Sequence, residues 1–317
     1  MPQPQVYLDG RFVSPDDARI PLNDLGFMLG ATVTEQLRSF GGRLFHLDEH
    51  LARLAQSLAI VGLSDAVELA PLAKFAAKLA ADNHALLDPA DDLTLTIFVT
   101  PGVSPALAGG RAVHPRVCMH TYPLTFSQWS EKYSVGEQLV ITQVQQVSAA
   151  CWPAELKCRS RMHYYLADRE ARSRRSGARA IMLDAAGHVT EATTANVLLY
   201  EKAAGIVVPP SSSVLPGISL AMVRRLAARR GIAWHERNLT PQDVATADEV
   251  LLSSTPFCLL PVTSLDDAKI GNGQPGEIYR TLLADWSAEV GTDIAAQAQQ
   301  FSGERFPGER FSGERGA

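Results

Sequence analysis

Cysteine is scarce in this chain. Cys118, Cys151, Cys158 and Cys258 are the four, and none of them stands at the spacing of a metal site or a redox pair. No disulfide scaffold and no thiolate metal centre can be read from them. Reduced thiols in a cytoplasmic protein are the simplest reading. Positive charge is not in excess either. Against 34 Asp and Glu there are 29 Lys and Arg, a formal charge of −5, which gives no bulk electrostatic case for nucleic acid. The arginines that do cluster, Arg172, Arg174 and Arg175 and then Arg224, Arg225, Arg229 and Arg230, read as solvated helix faces. Long apolar runs are also missing. No stretch approaches a membrane span, and the N-terminus lacks the basic and apolar regions of a signal peptide, so a soluble protein is expected.

What is present is ordinary globular material. With 317 residues, 46% hydrophobic and 20% charged, the chain is long enough for two domains with their own cores. Val6 to Val13 reads as a hairpin turning on Asp9-Gly10, since both positions of such a turn tolerate positive φ. Val33 to Phe40 reads as a strand, with Thr34, Gln36 and Arg38 on one face because strand side chains alternate. Asp48 is the expected N-cap of a helix carrying Leu51, Leu54, Leu58 and Val61, with Arg53 beside that stripe. A second helix is expected over 70–82. Strands are expected over 93–100 and 117–122, with the Pro- and Gly-rich stretch 101–115 between them as a candidate cover for a site. The expected division is an N-terminal domain over 1–122, a linker over 123–131 and a C-terminal domain over 132–296. Within the last, strands are expected over 139–147, 180–184, 189–193, 196–200, 206–208 and 249–253. Helices are expected over 164–175 and 218–230, the second ended by Gly231. Thr240-Pro241 suits another helix start. The tail, 297–317, repeats Phe-x-Gly-Glu-Arg from Phe301, too rich in glycine and charge to bury a core, and is expected to be disordered.

Lys157 lies between an apolar alternating run and a helical one. Partial loss of water disfavours its ammonium form, and a neutral amine attacks carbonyls to form Schiff bases. Taken alone it reads as a surface lysine. Its company changes that reading: Arg53 in Glu-His-Leu-Ala-Arg-Leu, Glu191 in Val-Thr-Glu-Ala-Thr-Thr-Ala-Asn-Val, the helix opening Leu215-Pro216-Gly217-Ile218-Ser219, and Ser253-Ser254-Thr255 at a strand end. In order and approximate spacing these resemble the class IV, fold type IV, pyridoxal-phosphate enzymes, over roughly residues 5–290. That group includes the branched-chain and D-amino-acid aminotransferases and aminodeoxychorismate lyase.

The resemblance implies an α/β (α+β) fold of two domains with the cofactor between them: a smaller N-terminal α/β domain and a larger, pseudo-barrel-like C-terminal one. It implies a homodimer, pyridoxal 5′-phosphate as cofactor, no metal, and an amino donor and a 2-oxo acid acceptor as partners. Lys157 then corresponds to the Schiff-base lysine, and Glu191 to the carboxylate beside the pyridine nitrogen, with Thr194 and Asn196 around the ring. Gly217, Ile218 and Ser219 form an anion cradle at a helix N-terminus, aided by Thr255 and by a charge-assisted contact from Arg53. Tyr164 is the candidate for the tyrosine that touches the cofactor oxygen in some members.

The chain departs from the family pattern in places. Ala192 follows Glu191 where glycine is usual. Thr34 replaces a large aromatic, and Pro101 stands where some relatives carry a substrate-region arginine. Thr34, Gln36 and Arg38 are therefore the candidate substrate residues, with Arg38 the candidate clamp for the substrate carboxylate. An aminotransferase is the expected activity. A lyase using the same cofactor site, and a non-catalytic binding protein that keeps the fold, are the alternatives.

Overall fold

The computed structural model describes residues 3–303. These divide into two compact units: the chain up to Thr125 together with Leu156–Ser160, and Phe126–Glu155 together with Arg161–Ser302.

The first unit is an antiparallel sheet with two helices on one face. Its strands are β1 (Val6–Leu8), β2 (Arg11–Val13), β3 (Val33–Phe40), β4 (Arg43–Leu44), β5 (Leu93–Thr100) and β6 (Arg116–Pro123), in the order β2-β1-β6-β5-β3-β4. Both two-residue turns use positive φ, at Asp9-Gly10 and at Gly41-Gly42. The helices are a short α1 (Leu25–Met28), α2 (Leu47–Ile60) and α3 (Leu69–His84). Leu51, Leu54 and Leu58 of α2 and Leu72, Ala76 and Leu79 of α3 pack on Leu37, Leu95, Ile97 and Met119 of the sheet. The N-cap of α2 is His46, in the left-handed region at φ 53°, not Asp48. Asp48 instead lies in the first turn, where its charge favours the helix dipole.

The second unit is built on a closed ring of strands. These are β7 (Glu137–Ile141), β8 (Arg179–Leu183), β9 (Val189–Ala192), β10 (Ala195–Glu201), β11 (Gly205–Val208), β12 (Trp234–Glu236), β13 (Glu249–Ser254), β14 (Cys258–Leu265) and β15 (Ala268–Lys269). β7 lies parallel between β14 and β8; β8 pairs with β9, β9 with β10, β10 with β13, and β13 with β14, which closes the circuit. β11, β12 and β15 extend it. Around the ring lie α4 (Lys132–Val135), α5 (Met162–Arg174), α6 (Ile218–Arg229), α7 (Pro241–Thr246), α8 (Glu277–Val290) and α9 (Ile294–Gln300). Gly231 follows α6 at φ +67°, and Thr240 caps α7 in a reciprocal box with Asp243.

Three further sequence expectations change. The strand expected over 139–147 is β7 and stops at Ile141, after which the chain turns to place Gln146 beside β9. Within the expected linker 123–131, Phe126 and Trp129 are buried and pack on each other. The tail also begins later than 297: α9 runs to Gln300, and Phe301 is 5% exposed, stacked on Phe126. An apolar ring within reach of a core joins it, whatever the composition that follows. The rest of the expected disordered tail, 304–317, lies outside the described residues.

Candidate active site

Each unit carries one group of the expected residues. In the first unit, Lys157 is stitched into the structure through its backbone. Its carbonyl accepts from the Thr34 N–H at 2.9 Å, and its own N–H donates to Ser57 Oγ at 3.2 Å. Cys158 forms a bridge with Val33, and the Arg159 N–H donates to the Thr32 carbonyl. The lysine backbone is thus fixed between the start of β3 and helix α2.

Arg53 projects from the same helix, one turn before Ser57, and is buried against Glu35 of β3. Its Nε donates to Glu35 Oε1 and its Nη2 to Glu35 Oε2, both at 2.8 Å. His50 Nδ1 lies 2.7 Å from Glu35 Oε2. Burial alone pushes the Glu35 carboxyl up; the Arg53 guanidinium and the His50 contact outweigh it and bring it down to about 2. Burial, with the Arg53 and Lys157 charges, holds the His50 imidazole below its ordinary range against the pull of Glu35. A neutral His50 bonded to a carboxylate donates from Nδ1.

Thr34, Gln36 and Arg38 do share a face, opposite the one where Glu35 and Leu37 meet the helices. Thr34 Oγ1 donates to the Ile97 carbonyl, and Gln36 Nε2 donates to Tyr122 Oη, each at 2.9 Å. Arg38 is 1% exposed, lies 4.0 Å from the Phe40 ring centroid, and has Asp92 as counter-charge at 4.0 Å. A guanidinium so enclosed belongs to the interior of the sheet. It is not an open clamp for a carboxylate.

In the second unit, Glu191 is buried near the end of β9. Gln146 Nε2 donates to its Oε1 at 2.6 Å, the Leu215 N–H donates to its Oε2 at 3.4 Å, and Tyr164 Oη also donates to Oε1. Burial and then the Glu191 charge hold the Tyr164 hydroxyl well above the ordinary phenol range, so it stays a donor. After Glu191 the strand turns through Thr193-Thr194. Thr194 sits at φ 65°, an uncommon conformation for a β-branched residue and a cost of about 1–3 kcal/mol. The turn is held from several sides: Ser254 Oγ donates to the Thr194 carbonyl at 2.7 Å, Arg179 Nη1 to the Thr193 carbonyl at 2.8 Å, and Thr193 Oγ1 to Asp168 at 2.6 Å.

Helix α6 opens beside this turn. Gly217 is its N-cap and supplies no side-chain cap. A Cβ at Gly217 would stand 2.0 Å from Asn196 Oδ1, so a side chain there would have to displace the Asn196 amide. Asn196 Nδ2 donates to the Leu215 carbonyl at 2.9 Å and fixes the turn into the helix. Thr255 lies in the turn joining β13 to β14. Opposite Asn196, Ser253 Oγ is buried with no hydrogen-bond partner among the described residues. An uncapped helix start, a close approach at Gly217 and an unpaired hydroxyl suit a phosphate. A buried carboxylate nearby suits a protonated ring nitrogen. This donor set fits pyridoxal phosphate.

Sequence reasoning missed Glu35, His50 and Gln146. Glu35 carried a usable signal. Alternation puts it with Val33 and Leu37 on the core face, and an acid there requires a buried cation. Gln146 carried none, because its place depends on where β7 ends.

The closed strand ring with a separate α/β unit is the architecture of fold type IV enzymes. The chain belongs to the class IV aminotransferase family: the model of "Amino-transferase class IV" matches residues 32–265. It is 28% identical over 279 residues to a D-alanine aminotransferase of Bacillus licheniformis, covering 88% of this chain and 94% of that one. The Escherichia coli branched-chain amino acid aminotransferase superposes with a TM-score of 0.81 at 22% identity, covering 92% and 94% of the two chains. The T.th. branched-chain amino acid aminotransferase, solved with pyridoxamine 5′-phosphate, gives 0.79 at 20% identity, over 96% and 98%. The protein is an enzyme, an aminotransferase. The names of these relatives favour amino-group transfer over both the lyase and the non-catalytic reading. Among the described residues, no helix is long and apolar enough to cross a membrane.

Proposed function

We propose that this aminotransferase works with pyridoxal 5′-phosphate held by Lys157, Glu191, Tyr164, Thr194, Gly217, Ile218, Ser219, Thr255 and Arg53, and passes an amino group from an amino acid to a 2-oxo acid. The observation that carries this reading is in the strand ring. The buried Glu191 accepts from the Leu215 N–H, two residues before the uncapped start of α6, so a partner for a ring nitrogen and a cradle for an anion share one rigid turn.

When bound, the cofactor supplies a carbonyl that takes up the amino group and a protonated ring that draws electrons from the substrate α-carbon. The remaining work falls to the chain. Lys157 Nζ supplies the amine that meets the carbonyl, takes the proton from the substrate Cα as a base, and returns it as an acid. Glu191, oriented by Gln146 and the Leu215 N–H, keeps the ring nitrogen protonated. Backbone N–H groups of Ile218 and Ser219 bind the phosphate, and Arg53 adds a charge-assisted contact.

Thr34 and Gln36 are proposed to neighbour the substrate; Thr34 leaves room there for a larger or more polar donor than a branched aliphatic one. The homodimer is also proposed. Leu22, Phe27, Met28 and Leu29 form an exposed apolar segment that supports an interface. The free thiols support a cytoplasmic location.

The test is to reduce the loaded enzyme with borohydride and map the labelled peptide, alongside a screen of amino donors against pyruvate and 2-oxoglutarate. The label is expected on Lys157, with turnover that requires an acceptor. A label on another lysine overturns the assignment, and pyruvate formed without an amino acceptor would point to the lyase.

A further inference from the structure

We infer that Glu35 is a positioning residue for phosphate recognition, acting through Arg53. The inference rests on the proposed contact between Arg53 and the cofactor phosphate. An arginine on a helix has four rotatable side-chain bonds, and a flexible guanidinium loses much of its binding free energy to ordering. Glu35 removes that freedom before any ligand arrives. Its two oxygens engage Nε and Nη2 together at 2.8 Å, which fixes the plane of the guanidinium and directs the Nη1 edge away from the carboxylate.

The carboxylate is itself held. Its Oε2 lies 2.7 Å from His50 Nδ1, on the same helix face one turn before Arg53. Glu35 also stands on the strand whose first residues are stitched to Lys157, and Ser57, one turn after Arg53, anchors the Lys157 N–H. One buried acid therefore ties the orientation of the phosphate-reading cation to the segment that bears the lysine.

A merely structural Glu35 predicts a different outcome from a positioning one. Binding of pyridoxal 5′-phosphate and of pyridoxal, which lacks the phosphate, is measured for the full-length wild type and for Glu35→Gln, Glu35→Asp, Arg53→Leu and the Glu35→Gln/Arg53→Leu double variant. In Glu35→Gln one of the two acceptor oxygens becomes an NH2 donor facing a guanidinium that can only donate, so the paired contact is lost. Its preference for the phosphorylated form is expected to fall about 10- to 100-fold, the loss of a charge-assisted bond, while pyridoxal binding stays within about twofold. Glu35→Asp keeps the charge but not the reach, and should recover only part of the preference. In the double variant, Glu35→Gln should add nothing to the loss already caused by Arg53→Leu.

Equal losses for both ligands, or additive losses in the double variant, would overturn the inference. If Arg53→Leu loses the phosphate preference and Glu35→Gln keeps it, Glu35 is no positioning residue although Arg53 reads phosphate. If Arg53→Leu keeps the preference, the reading of Arg53 fails, and the role of Glu35 with it. Should Glu35→Gln not fold, Glu35→Asp decides alone: unchanged phosphate preference refutes the inference, and a selective loss sustains it.

Discussion

Acidification should dismantle the first unit of this protein through Glu35, and the size of the effect follows from its surroundings. An unfolded chain would titrate this carboxyl near 4.5, whereas in the fold it titrates at about 2. Because the folded value is the lower one, the unfolded state binds the proton first as pH falls. The stabilisation is therefore complete above about pH 5 and is lost as pH drops toward 2. At 1.36 kcal/mol per pH unit, the difference of about 2.5 is worth about 3 kcal/mol in all, of which about 2 kcal/mol is gone by pH 3. His50 adds a loss of the same sign that begins higher, below about 6.5, since its folded value is also depressed and the unfolded imidazole protonates first. Glu35→Gln removes the titrating acid. It should cost about 3–5 kcal/mol at pH 7, where it leaves a buried guanidinium without its counter-charge. The gap between variant and wild type should then narrow by about 2 kcal/mol at pH 3. All four tryptophans, Trp129, Trp152, Trp234 and Trp286, belong to the second unit. Urea unfolding is therefore followed by far-UV circular dichroism for the whole chain and by fluorescence for the second unit, at pH 7, 5, 4 and 3. A gap that stays constant with pH, or widens as pH falls, would refute the assignment of a depressed carboxyl to Glu35.

Three further outcomes are expected. Glu191→Gln should keep the cofactor bound yet slow the Cα proton step about 100-fold, equivalent to about 2.7 kcal/mol, seen as a primary deuterium isotope effect that grows in the variant; turnover at the wild-type rate would make Glu191 structural. Phe301→Ala should lower stability by about 3 kcal/mol by removing a ring packed on Phe126, whereas deleting 304–317 should leave both melting temperature and turnover unchanged. Arg38→Leu should destabilise by about 2–4 kcal/mol by leaving Asp92 without its buried counter-charge, with kcat/KM falling alike for an amino acid donor and its decarboxylated amine; a loss confined to the acid would restore the clamp reading.

Much of the fold was legible because its signals are local. Strand β5 follows its alternating apolar pattern from end to end, and Asp9-Gly10 turns where positive φ is tolerated. The stop of α6 at Gly231 and the capping box at Thr240 are likewise written in a few adjacent residues. Family membership was legible for a similar reason, since the order of Arg53, Lys157, Glu191 and the Leu-Pro-Gly turn is a property of the chain itself. Where a signal depended on distant neighbours, the sequence misled. Asp48 looked like a cap because Asp is a good one, but the backbone enters α2 through a left-handed His46. Phe301 looked like the first residue of a polar repeat, and the ring of Phe126, 175 positions earlier, claims it.

By itself, then, the sequence marked Arg53, Lys157, Glu191 and the turn at Gly217 as candidates for chemistry and gave the kind of element on which Arg53 and Glu191 lie, because side-chain type and periodicity need no partner to be read. Only the tertiary structure decided what each residue is committed to. It set Arg38 against Asp92, paired Arg53 with Glu35, and closed Gln146 and Tyr164 onto Glu191. The physical reason is that burying a charge is tolerable only beside its counter-charge or hydrogen-bond partner, and those partners lie 18 to 54 residues away along the chain. Proximity across such separations is a property of packing, and no local pattern records it.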